Sequence, residues 1–251
     1  MNKAEREYLK HNEAADALVV ASTFVSRHGR TLGLAAVAVL LLVVTAFGYR
    51  AFKARAEERA QAELARAVEV LSAPIAPAPA AGTAPEPAPA GEGTYPTEAA
   101  RAEAALTQML ATADEYGSTD AGVRARYYAA SLYAESNRPQ EAANAYQRVK
   151  DDAGASSLLG RMASLGLASM QVRQKQYDPA IQTLLELSQR RDGPLPLDAV
   201  LVQLADAYHQ AGRTAEATQT LQRVIDEFPQ SPYVADARER VEALHATSKA
   251  S

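Results

Sequence analysis

The sequence predicts an all-α protein in which one apolar helix precedes a stack of antiparallel helix hairpins. Three observations support this prediction: an uncharged apolar run between Arg30 and Arg50, an aromatic content of only 6%, and an internal repeat in the C-terminal half. Small side chains favour close helix packing, whereas sheets are enriched in branched and aromatic residues. We therefore expect a single N-terminal transmembrane helix followed by an α-solenoid.

The net charge and the lack of cysteine exclude several classes of function. The formal charge is −4 and the pI is near 5.7, so the chain lacks the clustered positive charge that nucleic acid phosphates attract. We expect no nucleic acid partner. Because the chain contains no cysteine, disulfides, thiol catalysis, Cys-ligated metals and a lipidated-cysteine anchor are excluded.

The apolar run TLGLAAVAVLLLVVTAFGY predicts a transmembrane helix over residues 31–49. As a helix it extends about 28 Å, which is close to the hydrocarbon thickness of a bilayer. A buried soluble helix and a cleaved signal peptide are the alternatives, but Ala54-Arg55-Ala56 places a charge in the nearest small-x-small site. Residues 1–30 then form a short cytoplasmic segment. Basic residues flank the span on both sides, so charge alone does not set its orientation.

Two segments separate this span from the repeats. Residues 50–72 are charged and predict a membrane-proximal helix. Residues 73–96 are rich in proline and alanine, and proline interrupts both helices and sheets. This segment is either a semi-rigid spacer or a disordered loop. As a fully extended spacer it reaches on the order of 75 Å.

An internal repeat appears from Thr97 onward. The motif DEYG at 114–117 recurs as DEFP at 226–229, an offset of three units of about 37 residues. A small residue expected at the helix crossing recurs in step at Ala105, Ala142, Ala180 and Ala217. Residues 97–245 therefore predict a repeat domain that ends in a capping helix, and residues 246–251 predict a disordered tail.

The repeat resembles the tetratricopeptide family, most clearly in the segment LVQLADAYHQAGRTAEATQTLQRVIDEFP at 201–229. The matching large, small and turn positions are Leu201, Leu204, Ala205, Tyr208, Gly212, Ala217, Leu221, Val224 and Pro229. Earlier copies depart from the pattern: Asn137 and Lys175 replace the turn glycine, and Gln171 replaces an aromatic residue. Asn137 can still adopt left-handed geometry. The resemblance implies a tetratricopeptide-like solenoid.

The order of the parts resembles the single-span ancillary subunit of the bacterial SecYEG translocon (YfgM-type). This resemblance implies a bacterial inner membrane anchor, periplasmic repeats, and partners among translocon subunits, periplasmic chaperones or exported clients. The proline-rich insertion departs from that pattern, which leaves the pairing of residues 53–71 with 97–116 open.

A second resemblance, carried by FPQSPYVADA at 228–237, is to envelope adaptors that coordinate cell-wall synthesis or outer-membrane assembly with division. Those proteins begin with a trimeric coiled coil. Residues 53–71 are too short and too alanine-rich for a sustained heptad seam, which disfavours this alternative.

In such solenoids the first helix of each hairpin lines the concave face, which implies a protein-binding groove. The corresponding residues are Arg124, Tyr127, Ser131, Glu135, Met162, Leu165, Ser169, Arg173, Val202, Asp206 and His209. Tyr127 and Ser131 stand where chaperone adaptors use Lys and Asn to hold a C-terminal carboxylate, so we expect no clamp of that kind. The alternative is that Tyr127 and Leu165 belong to the core and that the charged residues are ordinary solvated ones.

No catalytic, metal or cofactor site is predicted. The four histidines, His11, His28, His209 and His245, have no partner three or four residues away that forms a helical metal site. The chain also lacks a nucleophile elbow, a phosphate-binding glycine loop and an HExxH motif. We therefore expect a scaffold that binds proteins and, through residues 31–49, a lipid bilayer, with no enzymatic activity, cofactor or small-molecule substrate.

Overall fold

The computed structural model describes residues 3–76, 93–189 and 195–250. Within these ranges the only regular elements are nine helices. They are α1 (Lys3–Ser72), α2 (Glu98–Glu115), α3 (Asp120–Glu135), α4 (Pro139–Ala153), α5 (Leu158–Arg173), α6 (Tyr177–Ser188), α7 (Leu197–Gln210), α8 (Thr214–Glu227) and α9 (Val234–Ala250). The predicted all-α class is confirmed for this part of the chain.

The chain divides into two compact units, Met1–Arg55 and Ala56–Ser251. The first unit consists of the N-terminal part of α1, where the large apolar side chains that are described lie exposed: Val19, Leu34, Val37, Leu40, Leu41, Leu42, Val43, Val44, Phe47, Tyr49 and Phe52. Among the side chains described, no helix has the combined length and apolarity that a bilayer crossing requires. The side chains at 31–33, 35, 36 and 39 of the expected span 31–49 lie outside that set.

The second unit is a stack of antiparallel helix hairpins. Helix α3 pairs with α4, α5 with α6, and α7 with α8, while α9 packs on α8. The first helices begin at Asp120, Leu158 and Leu197, which are 38 and 39 residues apart. Helix α5 also contacts α3 and α7, so the first helices of successive hairpins lie side by side. The predicted solenoid of hairpin repeats is confirmed.

Each hairpin of the stack closes on a pair of alanines. The pairs are Ala130 with Ala142, Ala168 with Ala180, and Ala205 with Ala217, and every member is 0% exposed. The two members of each pair are 12 residues apart in the sequence. A methyl side chain lets two helix backbones approach closely, whereas a larger one holds them apart. The small residues predicted at the crossings are therefore confirmed as buried.

The C-terminal part of α1 forms the first hairpin of the stack with α2. Ala67 is fully buried in one cluster with Ala105 and Met109 of α2 and with Leu132 of α3. Ala67 and Ala105 thus form a fourth alanine pair, although 38 residues separate them instead of 12. The pairing that the sequence left open is made. The repeat unit therefore begins at Ala56 and includes most of the predicted membrane-proximal helix. The sequence predicted that the repeat domain begins at residue 97.

The proline-rich segment interrupts this first hairpin, and its two ends meet. The backbone N–H of Tyr95 donates to the carbonyl of Pro74 at 3.0 Å, and that of Ala76 donates to the carbonyl of Tyr95 at 2.8 Å. The guanidinium of Arg101 also donates to the carbonyl of Ala73 at 3.1 Å. The two described ends of the segment are therefore joined beside the first hairpin. Residues 77–92 of the predicted 73–96 segment lie outside the described residues.

Glu57 links α1 to the start of α3. Its carboxylate accepts hydrogen bonds from the backbone N–H groups of Asp120 at 2.8 Å and Ala121 at 3.2 Å. It also lies 3.5 Å from the guanidinium of Arg124. The first N–H groups of a helix have no partner within the helix and carry partial positive charge, so a carboxylate at this position is stabilising.

The turn inside each of the three later hairpins contains one residue in the left-handed region. These residues are Asn137 (φ 56°), Lys175 (φ 61°) and Gly212 (φ 76°). The expectation that Asn137 takes over the glycine conformation is confirmed. Lys175 adopts it too, although a β-carbon makes this conformation cost about 1–2 kcal/mol.

An arginine stacks on a tyrosine beside two of these turns. The guanidinium of Arg138 lies 4.4 Å from the ring centre of Tyr133, and that of Arg213 lies 4.7 Å from that of Tyr208. Gln171 occupies the tyrosine position in the middle hairpin, and its Oε1 is buried without a hydrogen-bond partner within the described chain. The middle hairpin, with Gln171 at the tyrosine position, therefore lacks the arginine–tyrosine stacking of the other two hairpins.

The final helix continues beyond its predicted end. Helix α9 runs to Ala250, so the tail predicted to be disordered at 246–251 is helical up to that residue. No glycine or proline follows Pro232, and the C-terminal residues include alanines that favour a helix. Ser251 lies outside the described residues.

We expect Ala217→Leu to lower the free energy of unfolding by about 1–3 kcal/mol, because the larger side chain overpacks the crossing of α7 and α8. Ala215→Leu is the matched control, since Ala215 is exposed on the same helix. It should change stability by no more than about 0.5 kcal/mol. Urea unfolding followed by far-ultraviolet circular dichroism measures both. Equal effects of the two substitutions would contradict the role given to the alanine pair.

Candidate protein-binding groove

A cavity of ≈ 320 Å³ opens between α5 and α7, the first helices of two successive hairpins. It is lined by Ser169, Val172 and Arg173 of α5, Leu184 of α6, and Gln203, Asp206 and Gln210 of α7. Leu184 is almost fully buried and forms the base. We refer to this cavity as the α5–α7 groove.

The two charged residues of the α5–α7 groove are engaged with other parts of the repeat unit. The guanidinium of Arg173 donates to the carbonyl of Ala134 and to Oδ1 of Asn137, each at 2.7 Å. Asp206 forms an ion pair with Arg240 of the capping helix. Arg173 thus binds the C-terminal end of α3, where the helix dipole is negative. The charges of the groove stabilise contacts between helices.

Three uncharged polar side chains of the groove have no such engagement. Ser169, Gln203 and Gln210 make no hydrogen bond with the described part of the chain. Ser164, five residues earlier on α5, instead donates to the carbonyl of Gly160 at 2.8 Å. A hydroxyl and two amides can both donate and accept hydrogen bonds, as a peptide main chain does. The groove therefore offers neutral hydrogen-bonding groups above an apolar base.

Tyr127 and Ser131 take part in packing within the α3–α4 hairpin. The ring of Tyr127 meets that of Tyr146 edge-on, with 5.6 Å between their centres, and the Ser131 hydroxyl lies 3.1 Å from the Tyr146 hydroxyl. Burial raises the pKa of Tyr127 and of Tyr146. A β-carbon at Gly166 would lie only 2.6 Å from Cζ of Tyr146, so glycine makes room for this ring. The structure therefore supports the alternative that Tyr127 belongs to the core.

The structure brings together three of the predicted groove residues, Ser169, Arg173 and Asp206. The other eight lie outside the cavity lining: Arg124, Tyr127, Ser131, Glu135, Met162, Leu165, Val202 and His209. Leu165 and Val202 pack against the C-terminal core. Glu135 and His209 are exposed at the ends of their helices. The first helices do contribute the groove walls, but with a smaller set than the sequence predicts.

Gln203 and Gln210 line the cavity, whereas the predicted set contains their neighbours Val202 and His209. Gln203, Asp206 and Gln210 are spaced by three and four residues, so they share one helix face. Val202, which was predicted instead, points toward the core. The polarity of the side chains along α7 indicates which of them line the cavity. The apolar residues lie on the buried face of the helix, and the glutamines lie on the face beside it.

A model of the tetratricopeptide repeat-like domain family matches residues 22–192. The chain belongs to this family. A further tetratricopeptide repeat model matches residues 197–241. The first match spans the proline-rich insertion, so the insertion and the hairpin that it interrupts both lie inside the tetratricopeptide-like domain. No curated protein matches the chain.

Several solved structures are similar to this tetratricopeptide protein. One is BtubC (BKLC) from P. vanneervenii, with 14% identity, a TM-score of 0.45 and coverage of 49% of this chain. The matched region spans 55% of that protein. Another is a putative kinesin light chain with nearly identical TPR-like repeats from Podosopora anserina, with 17% identity, a TM-score of 0.46, and coverage of 60% of this chain and 90% of that one. A single-site variant of that light chain matches with a TM-score of 0.47 at the same identity and coverage.

We expect the free energy of unfolding to fall when the pH rises above about 10, the ordinary tyrosine pKa. Because burial raises the pKa of Tyr127, the folded chain holds this proton more tightly than the unfolded chain does. The resulting stability is fully present below the unfolded pKa and is lost as the pH rises through the folded value. Tyr127→Phe should therefore make the alkaline decline shallower. The exposed Tyr233 is the control, and Tyr233→Phe should leave the decline unchanged in urea titrations.

Proposed function

We propose that this tetratricopeptide protein is a membrane-anchored scaffold that binds other proteins in the α5–α7 groove. The observation that supports binding is the set of free polar groups on Ser169, Gln203 and Gln210 above an apolar base. Neutral groups of this kind suit a peptide main chain. We propose binding without catalysis, because Arg173 and Asp206 are held by partners within the fold and are not positioned for proton transfer.

The proposed anchor is the segment 31–49. It contains no charged residue, and those of its large apolar side chains that are described are exposed. Exposing so much apolar surface to water is unfavourable, whereas a helix of this length suits the bilayer interior. We assign residues 1–30 to the cytoplasm and the repeats to the periplasmic side of a bacterial inner membrane. This orientation is supported by the resemblance to the ancillary translocon subunit.

A short stretch of chain joins the proposed anchor to the repeats. Six residues, 50–55, lie between the segment 31–49 and Ala56, where the repeat unit begins. Six residues reach at most roughly 20 Å even when fully extended. The insertion at 73–96 comes later and adds nothing to this reach. Partners at the membrane surface are therefore favoured, and we propose translocon subunits and the chaperones or exported clients that gather beside them.

The second candidate is an envelope adaptor that coordinates cell-wall synthesis or outer-membrane assembly with division. It is favoured by the segment 228–237, which resembles the ending of such proteins. Both candidates use the same groove and differ in the partner. Identification of that partner distinguishes them.

We expect the full chain to stay with bacterial membranes after an alkaline carbonate wash, and a variant without residues 31–49 to be released. A variant without residues 77–92 loses a similar length of chain and is the control that should remain bound. Release of the full chain would contradict the anchor. An alkaline phosphatase fused to the C-terminus should be active on the periplasmic side, and an inactive fusion would reverse the orientation.

A photoreactive residue in place of Gln203 should crosslink partners in membranes, whereas one in place of Gln219, exposed on the outer helix α8, should not. Recovery of translocon subunits, chaperones or exported proteins supports the first candidate, and recovery of wall-synthesis or outer-membrane proteins alone supports the second. The same products from both positions would rule out the groove as the binding surface.

A further inference from the structure

The two ends of the hairpin stack differ in whether a capping helix covers them. At the C-terminal end α9 buries Ala237 and Val241 against the core of the last hairpin. The described residues show no such capping helix on the first hairpin, which instead contains a cleft of ≈ 610 Å³. Terminal repeats of a solenoid have no neighbouring repeat on one side, and within the described residues no other repeat lines this cleft.

The cleft lies between α1, α2 and the two ends of the proline-rich insertion. Its charged and aromatic lining residues are Glu63, Arg66, Glu69, Tyr95, Glu115 and Tyr116. None of its lining residues comes from α3 to α9, so it belongs to the first hairpin alone. It is therefore separate from the α5–α7 groove. We call it the first-hairpin cleft.

The cleft has an excess of negative charge. Glu63 forms an ion pair with Arg66 at 2.8 Å, and this pair leaves Glu69 and Glu115 as carboxylates without an ion-pair partner in the described chain. A hydrogen bond with Glu115 raises the pKa of the neighbouring Tyr116 hydroxyl. Two carboxylates without an ion-pair partner in the described chain and two phenol rings therefore border the same cleft.

The same combination holds a cation twice elsewhere in this protein. Arg138 stacks on Tyr133 while it forms an ion pair with Glu141 at 3.0 Å. Arg213 does the same with Tyr208 and with Glu216, at 2.8 Å. A tyrosine ring attracts a cation through its negative face, and a carboxylate neutralises the charge. Tyrosine next to glutamate is thus a combination that this fold uses to hold arginine.

We propose that the first-hairpin cleft is a second docking surface, which takes a basic segment of a partner protein that carries lysine or arginine side chains. Residues 77–92 of the insertion contain Glu86 and Glu92 and no basic residue, so they do not supply the complementary charge. A second copy of the same cleft is also a poor partner, because two acidic surfaces repel each other. A basic segment of a partner protein supplies the complementary charge.

Fluorescence anisotropy of the full chain in neutral detergent tests this proposal. The probe is a labelled peptide of alternating lysine and alanine, and a glutamate and alanine peptide serves as the negative control. Two lost ion pairs should make the double variant Glu69→Gln/Glu115→Gln bind the lysine peptide about three- to tenfold more weakly. Ala111→Trp fills the cleft from an exposed position on α2 without changing its charge, and it should weaken binding as well.

Two further variants separate the cleft from general charge effects. Glu186→Gln/Glu239→Gln makes the same charge change at exposed positions on α6 and α9 and should leave binding unchanged. Gln203→Ala alters only the α5–α7 groove and should also leave it unchanged, so failure of the groove hypothesis does not affect this test. The proposal is overturned if the cleft variants bind as the wild type does, or if the distant pair weakens binding equally. Circular dichroism melting verifies that each variant is folded.

Discussion

The fully buried alanines at the helix crossings are the constraint on which the repeat unit depends. At each of four crossings two alanine methyl groups are fully buried, and side chains this small let the two helices of a hairpin pack closely. Alanine itself buries little apolar area, and the stabilising burial comes from larger neighbours such as Leu184, Leu201 and Leu221. The alanines set the geometry and the leucines supply the free energy. The alanines set the separation of the two helices in each hairpin. The first helices of successive hairpins then lie side by side, and the groove lies between α5 and α7.

The residues that could be predicted from sequence are those whose role depends on local pattern. The buried alanines and the left-handed turn at Asn137 follow from spacing and from the conformational range of a single residue type. The first hairpin was harder to recognise, because the insertion lengthens the distance between Ala67 and Ala105 from 12 to 38 residues. Only their burial in one core cluster shows that they occupy the same kind of crossing as the other pairs.

The groove could be predicted only in outline, for a different reason. Helical periodicity indicates that α5 and α7 contribute residues, but a shift of one position changes which side chains reach the cavity, as Val202 and Gln203 show. Whether a charge is free also depends on distant residues. Arg173 is held by the end of α3 and Asp206 by the last helix, and neither partner is marked in the sequence. The polar groups that remain available are those that the fold does not use.

The joined ends of the insertion have a practical consequence for protein engineering. Because the bridge between Ile75 and Tyr95 holds the two ends of the loop together, its length is not set by the packing of α1 against α2. The entropy of closing a loop grows slowly, by about 0.6 kcal/mol for each doubling of length. A fluorescent domain or an affinity tag can therefore be spliced between these ends with little loss of stability. For the same reason, related sequences can differ greatly in the length of this loop while they keep the same repeats.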